Sequence, residues 1–381
     1  MRDVTYIGTR NKDIKMKASE AILKGICPDG GLFIPDEMPV MDKTIDELAK
    51  MDYRELAYEV MKLFFTDFTE DELKYCINNA YDDKFDTKEI APLVEKDGVY
   101  FLELFHGRTI AFKDMALSIL PYLMKTSAKK NNIDKEIVIL TATSGDTGKA
   151  ALEGFADVEG TRIIVFYPDG GVSPVQKMQM VTQKGKNVCV AAITGNFDDA
   201  QSAVKSIFTD NEMIKELDER GFMFSSANSI NIGRLIPQVV YYWYAYCSLV
   251  RDGKIKAGDK INFTVPTGNF GNILAGYFAK KMGLPVNMFI CASNSNKVLY
   301  DFFRTGTYDR NREFILTVSP SMDILISSNL ERLICMLTSQ EETAKLMASL
   351  AGKGKYTMTA KAEDITGEYA DEDETFTAIR T

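Results

Sequence analysis

Three short segments concentrate the residues whose types and spacing could do chemistry. The first reads Glu103-Leu104-Phe105-His106-Gly107-Arg108-Thr109-Ile110-Ala111-Phe112-Lys113-Asp114. Most lysines are solvated surface groups. Lys113 is preceded by Ile110, Ala111 and Phe112, and Met115, Ala116 and Leu117 follow Asp114. An apolar setting disfavours an ammonium and frees the amine as a nucleophile toward carbonyl carbon. The other two segments are glycine-rich: Thr143-Ser144-Gly145-Asp146-Thr147-Gly148 and Thr267-Gly268-Asn269-Phe270-Gly271-Asn272. Each follows an apolar run and precedes a helical pattern. Glycine lets the backbone approach a ligand, and a helix start offers N–H groups and partial positive charge to an anion. Neither turn matches GxGxxG or the P-loop lysine pattern. One such turn could be a tight strand–helix connection; two in one chain favour an anionic ligand.

Composition narrows the classes of chemistry. His106 is the single histidine, so a zinc site or a histidine-based triad elsewhere is nearly excluded, and no metal is expected. The six cysteines are scattered without a CxxC pair and read as buried, reduced thiols of a cytoplasmic protein. A net charge of −9 argues against a broad nucleic-acid footprint but leaves room for a local cationic pocket. The first fifteen residues have no apolar core of a secretory signal, and no apolar run approaches the roughly 18 residues of a membrane span.

The elements that must position these segments follow from periodicity. The first ninety or so residues carry amphipathic helical stretches such as DELAKMDYRELAYEVMKLFF and few strand runs. Beyond Gly98, short apolar runs alternate with helical segments: EIVILTA (136–142), TRIIVFY (161–167), NVCVAAI (187–193), KINFTV (260–265) and NMFICAS (287–293). That alternation predicts an α/β protein with largely parallel sheets, covered on both faces. RLIPQVVYYWYAYCSLV (234–250) is the most apolar helical stretch and reads as a core or subunit-interface helix rather than a ligand box. At 381 residues the chain needs more than one core region. An N-terminal domain is expected over 1–94 and a catalytic region over 95–381, with a smaller α/β subdomain at roughly 125–235.

A resemblance sharpens this reading. ELFHGRTIAFKD looks like the pyridoxal-lysine segment of threonine synthases, ATSGDTG like their glycine-rich turn near cofactor and substrate, and PTGNFGN like their cofactor-phosphate cradle. ASEAILKGICPDGGLFIP (18–35), SSANSINIGRLIPQ (225–238) and SPSMDILISSNLERL (319–333) are similar to further segments of that family, in order along the chain. The resemblance is to the longer, microbial and fungal-type branch. It implies pyridoxal 5'-phosphate fold type II, two α/β subdomains with mainly parallel sheets plus an N-terminal, mostly helical domain. The implied reaction turns O-phospho-L-homoserine and water into L-threonine and phosphate. The implied roles are Lys113 as the Schiff-base lysine and proton shuttle, and Gly268, Asn269, Phe270, Gly271 and Asn272 around the cofactor phosphate. Asp146 stands where related enzymes place the asparagine that bonds the cofactor's ring oxygen. Ser144 and Thr147 would meet the substrate's carboxylate or phosphate, Ser229 and Arg234 would bind its phosphate, and Asn231 would also bind substrate. Without the resemblance, Arg234 reads as a surface charge at a helix start.

Two departures stand out. Arg108 occupies the place where a proline is expected, which adds a charge near the cofactor. The branch also continues into a segment resembling DPHTA that faces the pyridine nitrogen, and this chain contains none. The expectation is a truncated C-terminus, either an incomplete reading of the gene or a natural truncation with impaired activity. Two alternatives stay open: a threonine/serine dehydratase-like enzyme, whose substrate lacks phosphate, and a non-catalytic homologue. A monomer or homodimer acting on a small molecule is expected.

Overall fold

The apolar runs pair into two parallel sheets, as their alternation with helices predicts. The structure is a computed structural model and describes residues 3–143, 145–195 and 197–380. The smaller sheet runs, edge to edge, Val188–Ile193, Thr161–Pro168, Glu136–Ala142 and Phe222–Ser225. The strand Glu136–Ala142 is almost continuously buried, because helices cover both faces. Its side chains alternate accordingly. Ile137 and Ile139 join the main apolar core, while Val138, Leu140 and Ala142 join a separate cluster with Ala200 and Val204. The larger sheet pairs Ile261–Pro266 with Val286–Ser293, and that with Ile365–Tyr369.

The N-terminal part is less purely helical than its sequence suggests. Tyr6–Gly8 pairs with Lys15–Met16 and with Phe33–Pro35 in a small antiparallel sheet. The helices Ile45–Leu48, Tyr53–Met61 and Glu70–Ala80 each begin with a capping box: Thr44 with Glu47, Asp52 with Glu55, and Thr69 with Glu72. Their apolar faces share one continuous core with the rest of the chain. Residue 94 lies inside the strand Leu93–Lys96, so a division there would cut a hairpin with Val99–Leu102.

At the centre lies the helix Pro237–Arg251, opened by a proline at its first position and buried on almost every side. It packs between Tyr53–Met61 and Gly271–Lys281. Its aromatic rings are therefore core, with Tyr241, Tyr242 and Trp243 no more than 2% exposed. Tyr242 also donates its hydroxyl to Asn272 O at 2.9 Å, which ties the core helix to the second glycine turn. Among the described residues no helix is long and apolar enough to cross a membrane.

Gly276 marks the tightest point of this packing. A Cβ there would lie 2.6 Å from the Phe289 ring and 2.8 Å from the Tyr242 ring. Overpacking of this kind costs about 1–3 kcal/mol. Gly276→Val should therefore lower the urea midpoint of unfolding clearly; an unchanged midpoint would show that the two rings move aside freely.

Candidate active site

Lys113 immediately precedes the short helix Asp114–Leu117 and is 9% exposed. Its Nζ donates to Asp146 Oδ2 at 2.7 Å, and Ser321 Oγ donates to the same oxygen at 2.6 Å. Burial raises the Asp146 carboxyl, but the Lys113 charge and the bonds from Lys113 and Ser321 outweigh it and hold the carboxyl below the usual range. Asp146 is presented by the first glycine turn. Gly145 sits at φ +150, where an added side chain would collide with Gln176. Thr143 Oγ1 accepts from Gly145 N at 3.0 Å and Gly148 N at 2.8 Å, closing the turn around one buried hydroxyl.

The loop before Lys113 is locked from below. Thr109 donates its N–H and its hydroxyl to the buried Asp114 carboxylate at 2.8 and 2.6 Å. A Cβ at Gly107 would reach the same carboxylate at 2.5 Å, so only glycine fits there. Ile110 takes a left-handed φ of +58, a strained choice for a β-branched residue. His106 bridges Asp86 at 2.5 Å and Glu103 at 2.9 Å. Burial lowers its pKa, yet the two carboxylates raise it above the ordinary imidazole value. Arg108 does not bring charge to the cavity as expected. It points outward to Glu153 at 3.3 Å, on the helix Asp146–Phe155.

The second glycine turn links the strand Ile261–Pro266 to the helix Gly271–Lys281. Gly268 O accepts from Ser327 Oγ at 2.7 Å; Asn269 O accepts from Asn329 N at 3.1 Å and from Asn329 Nδ2 at 3.0 Å. A trans peptide is planar, so each N–H points away from the carbonyl of its own unit. The amides of Asn269 and Phe270 are thereby turned away from Ser327 and Asn329. Among the described residues, none of the amides of 268–272 donates to a protein acceptor. Phe270 sits at φ +63 and buries its ring against Phe303, so only its backbone is offered. Successive free amides at a helix start are a phosphate cradle, and the residues present fit the phosphate of a pyridoxal cofactor.

Arg234 is 3% exposed, which overturns the surface-charge reading. Its Nη1 donates to Ala227 O at 2.9 Å, while its Nε has no partner. Burial pulls its pKa down to about 10, against the opposing pull of Asp146. Arg234, Ser229, Thr147, Lys113, Gly268, Asn269, Gly271 and Asn272 line one cavity of about 1060 Å³. Asn231 is not free for substrate. Its Nδ2 donates to Ile22 O and Ser226 O, both at 2.9 Å, and its Oδ1 accepts from Gly233 N at 2.8 Å. Asn231 thus caps the helix Ile232–Leu235 that carries Arg234. Ser144 lies outside the described residues. Ser321, Ser327 and Asn329 went unassigned in the sequence, although all three sit in the SPSMDILISSNLERL segment; uncharged side chains that bond to other site residues carry no local signal.

The family model described as threonine synthase N terminus matches residues 5–81, and that of pyridoxal-phosphate dependent enzyme matches 86–362. Threonine synthase of Saccharomyces cerevisiae is 38% identical over 351 residues, covering 88% of this chain and 66% of that protein. Threonine synthase-like 1 of Homo sapiens is 41% identical, over 91% of this chain and 49% of that protein. The chain thus spans about half of one of these curated relatives and about two thirds of the other. A crystal structure of pyridoxal-phosphate-bound threonine synthase from Brucella melitensis superposes with a TM-score of 0.88 at 37% identity, covering 98% of this chain and 79% of that one.

The Lys113–Asp146 pair has a pH signature. A carboxyl held below its unfolded value contributes fully above that value, about pH 4, and its contribution is lost as pH falls through the folded value. In cofactor-free protein, the stability gap between wild type and Asp146→Asn should therefore close as pH falls below about 4. Urea midpoints between pH 7 and pH 3 measure it; a gap that persists unchanged would show that ionised Asp146 adds nothing.

Proposed function

The chain belongs to the threonine synthase family of pyridoxal-phosphate enzymes, and from that premise we propose that it converts O-phospho-L-homoserine and water to L-threonine and phosphate. The observation that carries this reading is Arg234: a buried guanidinium with an unpartnered Nε, in the cavity that Lys113, Gly268, Asn269, Gly271 and Asn272 also line. A substrate without phosphate would leave that cation buried and uncompensated.

Pyridoxal 5'-phosphate, when bound, supplies the electron sink for charge that develops on substrate carbon. The chain supplies the rest. The amides of 268–272 bind the cofactor's phosphate, and Lys113 is its attachment point. Lys113 Nζ is also the group that moves protons between substrate carbons, and Asp146 Oδ2 orients it from 2.7 Å. Arg234 and Ser229 bind the substrate's phosphate, with Thr147 on the opposite turn. The planar fork of Arg234 suits a tetrahedral dianion because two N–H groups meet two oxygens at once. Phosphate leaves Cγ and the oxygen of water ends on Cβ. Five buried cysteines and one exposed, all free, support a reducing, cytoplasmic setting, and the cavity supports a small-molecule substrate.

Two measurements test this. Borohydride reduction of the yellow holoprotein should fix the cofactor on Lys113, and Lys113→Ala should abolish turnover; a label on another lysine ends the assignment. Arg234→Ala should weaken phosphohomoserine binding about ten- to a hundredfold, the value of a lost charge-assisted bond, with cofactor affinity nearly intact. Arg234→Lys should recover only part, since a point charge replaces the fork. Binding is read from the ligand-induced spectral change as well as from turnover. Unchanged phosphohomoserine affinity in Arg234→Ala would favour a dehydratase-like substrate instead.

A further inference from the structure

A second arginine, Arg332, is buried completely and lies outside the cavity lining. Its neighbour Glu331 gives it no counter-ion at contact. That carboxylate is engaged by Arg10 at 2.8 Å and by the Thr9 hydroxyl at 2.5 Å. Arg332 instead donates to three neutral oxygens. Nε reaches Phe33 O at 2.7 Å, Nη2 reaches Ile230 O at 2.5 Å, and Nη1 bonds Asn329 Oδ1. A buried cation held only by neutral oxygens is costly, and the fold keeps it.

The three acceptors belong to three parts of the site. Phe33 lies in the N-terminal sheet. Ile230 sits between Ser229 and Arg234 in the substrate-phosphate segment. Asn329 holds the Asn269 carbonyl of the cofactor-phosphate turn through both its N–H and its side chain. The two phosphate segments also abut: a Cβ at Gly271 would lie 3.4 Å from Asn329 Nδ2 and 3.8 Å from Ser229 Cβ. We propose that Arg332 is the positioning residue that fixes the cofactor-phosphate turn and the substrate-phosphate segment at one separation, with the N-terminal sheet as the anchor. A guanidinium is suited to the task because its five N–H groups lie in one rigid plane and reach several acceptors in fixed directions. The second half of this assignment rests on the phosphohomoserine reading; the first rests on the turn alone.

The test compares Arg332→Met with Asn329→Ala in the holoprotein. Pyridoxal phosphate affinity is measured by re-addition to resolved protein, and anion affinity by titrating the holoprotein with inorganic phosphate and with phosphohomoserine. Arg332→Met should weaken both affinities about tenfold or more, the scale of a lost charged hydrogen bond. Asn329→Ala should weaken only the cofactor arm. A purely structural role would lower the thermal midpoint of both variants and leave the anion affinity of the surviving holoprotein at the wild-type value, which overturns the proposal. So does an Arg332→Met protein that loses only one of the two affinities. If Arg332→Met gives no folded protein, Arg332→Lys decides: it keeps the charge without the planar fork, so both affinities should still fall, and wild-type values in both arms would refute the link. Wild-type protein that binds inorganic phosphate but not phosphohomoserine would remove the proposed substrate, while the Arg332 comparison would still stand on its other two probes.

Discussion

Two carbonyl oxygens, those of Gly268 and Asn269, are fastened from behind by Ser327 and Asn329, and the planarity of the peptide unit does the rest. Amides cannot be aimed by side-chain choice; they are aimed by what holds the carbonyl of the same peptide unit. The turn therefore depends on a segment sixty residues further along the chain, and on the helix Leu330–Leu337 that this segment opens. The same dependence explains why a left-handed φ at Phe270 is tolerated. Its ring is buried against Phe303, and the surrounding packing over-determines the backbone.

Electrostatics around the cavity runs against the chain as a whole. The net charge is −9, yet two arginines are fully buried and bonded mainly to neutral oxygens. A net negative charge offers an anion no general long-range attraction; the buried guanidinium acts at contact distance, in a dry setting where each charge counts for more. Among the described residues Asp146 is the carboxylate bonded to Lys113, and Ser321 shares its oxygen. That arrangement crosses from the smaller sheet's first helix to the segment behind the larger sheet's glycine turn, so the two sheets' segments meet at Lys113.

Much of this was legible in the residues. The apolar runs near 136–142, 161–167, 187–193, 260–265 and 287–293 became strands, because near-continuous burial on both faces leaves a strong pattern. Lys113 and the two glycine turns stood out by composition, and Arg234 through its resemblance to a known segment. The sequence did not show how Arg108 and Asn231 would be used. Arg108 looked like a charge beside the cofactor, but a long side chain chooses its partner in three dimensions, and Glu153 was nearer. Asn231 looked like a substrate contact, but a short amide at a helix start competes for backbone groups first. Ser327, Asn329 and Arg332 act through other residues, and such roles leave no mark in local spacing.

The smaller sheet divides its packing between two unequal layers. Alternate residues of Glu136–Ala142 feed two separate cores; among the described residues the outer one gathers Val138, Leu140, Ala142, Ala200 and Val204, with half-buried neighbours such as Ile164, Phe166 and Phe224. A layer held by so small a cluster opens at lower free energy than the continuous core on the other face. Local opening that uncovers Val138, Leu140 and Ala142 to amide exchange then leaves Ile137 and Ile139 packed in the continuous core.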